Sequence, residues 1–276
     1  MTRSFDGRVV AITGAGSGIG RALAVDLAGR GALLALSDVS PDGLAETVDL
    51  VKAAGVREVR SDVVDVASAD SLAGWADDVV GQFGRVNVLI SNAGVSLTGE
   101  VGDLEPADME WIVGINFWGV VNGTRAFLPH LIASGDGHVV TMSSLFGLVS
   151  IPGQSMYNAT KYAVRGFSES LREELLMAGH PVGVTVVHPG GIRTAIARNA
   201  RVSWREDHET FARMFDEQLA RMSPERAAEI MLRGVLRGKP RVLVGLDAHL
   251  LHQFARIAGA RYQDVVARRA ARMRRP

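Results

Sequence analysis

Tyr157 and Lys161 stand four positions apart in a stretch with helical periodicity, which puts both side chains on one face. A free tyrosine has a pKa of about 10 and is a poor base at neutral pH. A neighbouring ammonium group favours the phenolate and lowers that value. The pair suits proton exchange with an alcohol or carbonyl oxygen. Ser143 and Ser144 lie just past an apolar run, where a hydroxyl could hold that oxygen beside the phenol. Neighbours at a strand end point in opposite directions, so one of the two serines faces the site. Asn116 falls within a long helical pattern, where asparagine is disfavoured. A buried amide there could hold a water that links the lysine to solvent.

A second constellation lies near the N-terminus. Thr13-Gly14-Ala15-Gly16-Ser17-Gly18-Ile19-Gly20 separates an apolar run from a helical pattern. Glycines in such a turn permit tight turning and close backbone approach, and the helix that follows offers free N–H groups to a pyrophosphate. Asp38 ends the next apolar run, 18 positions after Gly20. A carboxylate there can accept from both hydroxyls of an adenosine ribose and repels the 2′-phosphate of NADP. Ser17 and Val39 supply no positive charge to offset that repulsion, so NAD(H) is the expected cofactor. The simpler role for Asp38 is to cap the following helix.

The elements that must position these residues alternate along the chain. Strands are expected at Val9 to Thr13, Leu33 to Ser37, near Val59, Val88 to Ser91, Val139 to Met142, Val182 to His188 and Arg241 to Val244. Helical patterns fill the gaps, the longest running from about Ala107 to Ser134 and from about Ser155 to Ala178. Ser40-Pro41 and Ser223-Pro224 read as N-caps followed by proline in the first turn. Apolar strands alternating with helices imply one doubly wound α/β domain, about seven parallel strands with helices on both faces. Every candidate above falls at the carboxyl end of a strand or on the helix after it, where such sheets bind ligands. About Ile192 to Met222 reads as a long irregular stretch suited to substrate contact.

The chain has 276 residues, 47% of them hydrophobic, a formal net charge of zero and no cysteine. Disulfides, thiolate metal sites and a thiol nucleophile are thereby excluded. No overall field draws nucleic acid, and no apolar run reaches the roughly 18 residues of a membrane span. The polar start lacks the regions of a secretory signal, and a cytoplasmic protein is expected.

With these motifs in order, the sequence closely resembles the short-chain dehydrogenase/reductase family over about Phe5 to Thr194. The glycine turn matches T-G-x-x-x-G-x-G, with Gly14, Ser17, Gly18, Ile19 and Gly20 expected on the cofactor. Asp62-Val63 matches the pair that contacts adenine. Asn92, Ala93 and Gly94 match the cofactor-groove part of N-N-A-G, whose first asparagine is Ser91 here. Asn116, Ser144, Tyr157 and Lys161 match the catalytic tetrad. The family's serine stands thirteen residues before its tyrosine, which selects Ser144. Pro189, Gly190, Ile192 and Thr194 belong to a match to P-G-x-x-x-T, whose glycine and threonine hold the nicotinamide end.

The resemblance implies a Rossmann-type fold and hydride transfer between NAD(H) and a secondary alcohol or ketone, with no metal. It implies that Tyr157 exchanges the proton, that Lys161 lowers its pKa and binds the nicotinamide ribose, that Ser144 stabilises the substrate oxygen and that Asn116 supports a proton relay. A homodimer or homotetramer through the two long helices is implied, and Ala159, Ala163, Gly166 and Phe167 suit close packing there. An epimerase or dehydratase of the same fold and a non-catalytic NAD(H) sensor are the alternatives; the intact tetrad favours redox chemistry. Leu145, Phe146, Leu148, Val149, Ile151 and Pro152 suggest a hydrophobic substrate body.

The catalytic domain is expected to occupy residues 1–245, its cofactor half about 1–150, with a helical basic extension over residues 246–276. In that extension Leu250, Leu251, Phe254, Ile257, Ala258, Tyr262, Val265 and Val266 recur at three- and four-residue spacing, with a break expected at Gly259. Such a face is expected to be buried, leaving His252, Gln253, Arg256, Gln263 and Asp264 outside. Arg268, Arg269, Arg272, Arg274 and Arg275 follow. They could attract an anionic substrate tail or membrane surface, or form a solvated end. His138, His188, Trp111, Phe117 and Trp118 read as packing residues, and Trp204, His208 and Phe211 as candidates for substrate contact.

Overall fold

The computed structural model describes residues 4–273. Among these, seven strands form one sheet: β1 (Val9–Thr13), β2 (Leu33–Asp38), β3 (Val59–Val63), β4 (Val88–Ser91), β6 (Gly137–Met142), β7 (Val182–Pro189) and β9 (Arg241–Val244). Their order is β3-β2-β1-β4-β6-β7-β9, and every neighbouring pair is parallel. The central strands β1, β4 and β6 are buried along their whole length, as a parallel sheet covered on both faces requires.

Helices α1 (Gly18–Gly29), α2 (Pro41–Ala53) and α8 (Pro224–Leu236) cover one face. Their Leu23, Leu27, Leu44, Met231 and Leu232 pack with Val10, Ile12, Leu34 and Leu36 of the sheet. Helices α3 (Ala69–Phe83), α5 (Gly119–Ala133) and α6 (Ser155–Met177) cover the other, where Trp75 meets Phe127 edge-on at 5.1 Å. Local signals start several of these helices where the sequence suggests. Ser40, Ser68 and Ser223 each accept a backbone N–H three residues on, and proline follows the first and third.

The strand order reverses between β1 and β4. That switch point opens a crevice at the carboxyl ends of the strands. Three departures from the sequence reading bear on what lines it. The expected helix from Ala107 to Ser134 is α4 (Pro106–Val113) and α5 joined by a π-helical turn, Gly114–Trp118, in which the Gly119 N–H bonds to the Gly114 carbonyl. The stretch expected to be irregular contains β8 (Arg201–Val202) and α7 (His208–Met214), and β8 pairs with β5 (Leu97–Thr98) as a second small sheet. Arg201 fixes that sheet against α4 by stacking on Trp111 at 3.9 Å and pairing with Asp108 at 2.7 Å.

The third departure concerns the C-terminal region, which forms α9 (Leu246–Ala258) and α10 (Tyr262–Met273) around Gly259 at φ 56°. Ala248, His252 and Tyr262 are buried, while Leu250, Leu251, Phe254, Ile257 and Val265 are exposed. On α9 the large apolar side chains thus face out and His252 faces in, against the expectation, while Gln253 and Arg256 are exposed as expected. The small Ala248 lets the helix approach the cluster of Leu145 and Val149 closely, which the large side chains could not. Arg268 and Arg269 lie on α10; Arg274 and Arg275, and the side chain of Arg272, lie outside the described residues. Among the described residues no helix is long and apolar enough to cross a membrane.

Candidate active site

The glycine turn and the β4 end face one another across the switch point. Asn92 donates from Nδ2 to the carbonyls of Thr13 and Gly14 at 3.0 and 2.9 Å. Thr13 Oγ1 accepts from the N–H groups of Asn92 and Ala93. This staple brings Ala93 so close that a side chain on Gly14, which has φ 65°, would meet the Ala93 backbone at 2.7 Å. Gly18 lies against Thr194, whose methyl would stand 3.2 Å from an added Cβ. The turn and the segment after β7 thus form the walls of one groove. Ser17 occupies the N-cap of α1 without a side-chain cap bond, which leaves the first helical N–H groups available to an anion. These features fit a dinucleotide.

Asp38 does not cap α2; Ser40 does. The Asp38 carboxylate instead accepts from the Gly16 N–H at 2.8 Å and the Ser40 N–H at 3.0 Å, facing the glycine turn. Arg21 also reaches this region, donating to the Gly16 and Gly43 carbonyls, so a cation does stand close by. Its charge is paired with Glu46 at 2.7 Å. Asp62 is engaged elsewhere than expected from an open adenine contact. Both its oxygens hold Arg60, and one also accepts from the Trp75 indole at 3.1 Å. Val63 beside it is exposed.

Ser144 stands beside the Tyr157 phenol at the carboxyl end of β6, where its hydroxyl favours the phenolate. Ser143 points the other way and donates to the Lys161 carbonyl at 2.8 Å. The pleat separates the two serines, and Ser144 is the one on the phenol. Ser144 Oγ also accepts from the Phe146 N–H, which ties the hydroxyl to the short turn after the strand. Phe146 meets the Tyr157 ring edge-on at 6.2 Å, and the phenol packs in an apolar cluster with Leu97, Leu104 and Ile112.

This burial pushes the Tyr157 phenol up to about 12, with the Ser144 hydrogen bond drawing it back. Burial lowers the Lys161 ammonium to about 8. Lys161 Nζ lies 5.5 Å from the centre of the Tyr157 ring and donates to the Met142 carbonyl at 3.1 Å. The resemblance implies that Lys161 lowers the tyrosine; in this arrangement burial raises the phenol and the ammonium is turned to the Met142 carbonyl.

Asn116 is wholly buried within the π turn. Its Oδ1 accepts from the Val95 N–H at 2.8 Å, and its Nδ2 donates to the Val95 carbonyl at 2.9 Å and to Thr160 Oγ1 at 3.3 Å. Both amide protons are spent on protein. The side chain braces the β4 loop against α6. Gly94 lies over the same cluster, where an added Cβ would stand 3.3 Å from both Asn116 Oδ1 and Lys161 Nζ.

Residues 8–204 match the family model for short chain dehydrogenases. The chain belongs to the short-chain dehydrogenase/reductase family. SadH of Mycobacterium tuberculosis, an oxidoreductase by name, is 57% identical over 264 residues, 96% of this chain and 95% of that protein. A short-chain dehydrogenase from Burkholderia phymatum, crystallised with NAD, superimposes with a TM-score of 0.87 at 30% identity, covering 95% of this chain and 97% of that one. An alcohol dehydrogenase from Thermococcus sibiricus, complexed with 5-hydroxy-NADP, gives 0.72 at 28% identity, covering 87% of this chain and 95% of that one.

Two contacts of this short-chain dehydrogenase have no local sequence signal. His188, read as a packing residue, donates from Nδ1 to the Ser144 carbonyl at 2.9 Å. Asp247, on the first turn of α9, accepts from the Gly191 N–H at 2.7 Å, and a Cβ on Gly190 would strike it at 2.1 Å. The Pro189–Thr194 segment is thus gripped by the C-terminal region. Trp204, a candidate for substrate contact, is 72% exposed, with Arg205 stacked on it. Ser91, standing where the family motif has asparagine, leaves its buried hydroxyl without a partner.

Proposed function

We propose that this short-chain dehydrogenase is an NAD(H)-dependent oxidoreductase acting on a secondary alcohol or ketone with a hydrophobic body. The observation that carries the reading is the buried cluster of Tyr157, Ser144 and Lys161, beside a groove whose glycines fit a dinucleotide. A phenol raised to about 12 is neutral at physiological pH and ready to give its proton to a carbonyl oxygen. In the oxidative direction the phenol first gives up its own proton, and Tyr157 Oη, as phenolate, then takes the proton of the carbinol. Ser144 Oγ donates to the substrate oxygen as charge develops on it. Lys161 Nζ lies 5.5 Å from the centre of the Tyr157 ring, and its own lowered value of about 8 lets it exchange a proton with solvent near neutrality. A bound nicotinamide supplies the hydride and, in its oxidised form, a positive charge over the site. Asn116 keeps the Val95 backbone and α6 in register under this group.

For the cofactor, Asp38 at the end of β2 supports NAD(H), since a carboxylate facing the glycine turn repels a 2′-phosphate. Phe146, edge-on to the Tyr157 ring, and the apolar cluster around the phenol support an apolar substrate body. The test is reduction of NAD or NADP with a panel of steroid, terpenoid, acyl and small diol alcohols. Turnover with NAD is expected to exceed that with NADP. Tyr157→Phe should lower turnover by about a thousandfold and leave NADH affinity, followed by fluorescence, within about threefold. A Phe variant that turns over like wild type removes Tyr157 from its role; a preference for NADP removes Asp38 from its own.

A further inference from the structure

Helix α9 presents its large apolar side chains to solvent. At about 100° per residue, Leu246, Leu250, Phe254 and Ile257 form one stripe, with Leu251 at its edge. Leu246 is 73% exposed and Ile257 86%. The stripe begins at the rim of the candidate site. Leu246 precedes the aspartate that grips Gly191, and the exposed Leu219 comes to the same glycine from the other side.

The charge around the stripe is one-sided. Residues 246–276 carry seven arginines against two aspartates, an excess of five positive charges on a chain whose total is zero. The rest of the chain therefore carries five negative charges in excess. Arg256, Arg261, Arg268 and Arg269 are exposed and make no ion pair among the described residues. On the side of α9 away from the stripe, a cavity of about 470 Å³ is lined by Arg165, Arg241, Arg256 and His252, where Glu169 pairs with the first two arginines.

We propose that α9 and α10 are a docking surface for an anionic lipid bilayer. Leucine, phenylalanine and isoleucine side chains enter the acyl boundary while the arginines stay with the headgroups. The polarity of charge orients the molecule, since the negative remainder is repelled by the same surface. A nucleic acid would satisfy the arginines and leave the stripe in water. A second copy docked by two-fold symmetry would set one positive face against another. The inference does not rest on the redox reading, and binding is measured without substrate or cofactor.

The experiment is co-sedimentation of the full chain with vesicles of phosphatidylcholine alone or with about 30% phosphatidylglycerol. Wild type should bind the anionic vesicles at least about tenfold more tightly than the neutral ones and release them as salt rises to roughly 0.5 M. L250D/I257D and R268E/R269E change exposed side chains only, so melting temperatures should stay near wild type while each loses about tenfold in binding. The proposal is overturned if low-salt anionic vesicles fail to bind, if both vesicle types bind equally, or if L250D/I257D binds like wild type. A wild-type oligomer that L250D/I257D breaks into monomers assigns the face to a second copy and overturns it as well.

Discussion

His188 bonds the Ser144 carbonyl through Nδ1 while its Nε2 lies buried without a partner. Burial lowers this imidazole to about 4; the Ser144 carbonyl and Glu169 oppose that shift, and Arg241 and Arg165 add to it. The unfolded chain takes up this proton near pH 6.5, which the folded chain refuses until about 4. Stability from the neutral ring is therefore present above 6.5 and lost as pH falls through about 4, by up to about 3 kcal/mol. His188→Gln keeps a donor for Ser144 and removes the titration. Its melting temperature should be lower at neutral pH, with a shallower fall between pH 6.5 and 4 than wild type. Parallel curves for the two proteins would assign the acid limb to other groups. The motif positions around it were legible because glycine, tyrosine and lysine act through type and short spacing. His188 was not, because its partner lies 44 residues away across two strands.

Elements decide what those side chains touch. The π turn at Gly114–Trp118 turns Asn116 toward Val95 and Thr160, in a stretch whose periodicity reads as plain helix. Helix α9 acts through Asp247, whose single bond to Gly191 couples the C-terminal region to the proposed nicotinamide end of the groove. Asp247→Ala leaves that N–H without its acceptor and leaves Gly190 and Gly191 free to shift. We expect a loss of about 1 kcal/mol, read as roughly fivefold weaker NADH binding in a fluorescence titration with little change in secondary structure. Wild-type NADH affinity in this variant would show that the grip is structural only. β5 and β8, two residues each, could not be anticipated, since such short strands exist only because they pair with each other.

The whole molecule leaves another apolar area open besides α9. Trp118 is 51% exposed beside a concavity of about 390 Å³ lined by Met109, Val113, Gly114 and Met156. Ala159 and Gly166 on the same side of the molecule's longest helix are exposed as well. We propose that this surface carries the oligomer contact, and Trp118→Glu should reduce the mass measured by light scattering without lowering the yield of folded protein. An unchanged oligomeric mass would move the contact elsewhere. The amino-acid sequence by itself determined the parallel sheet, the serine caps, the glycine turn and the residue types of the tetrad. These depend on β-branched runs, short hydrogen bonds and spacing within a few residues. Tertiary structure decided what Asn116 braces, which way the lysine points and which face of α9 is buried. Those outcomes depend on the space left by distant segments: Ala248 fits against Leu145 and Val149, and the leucines do not.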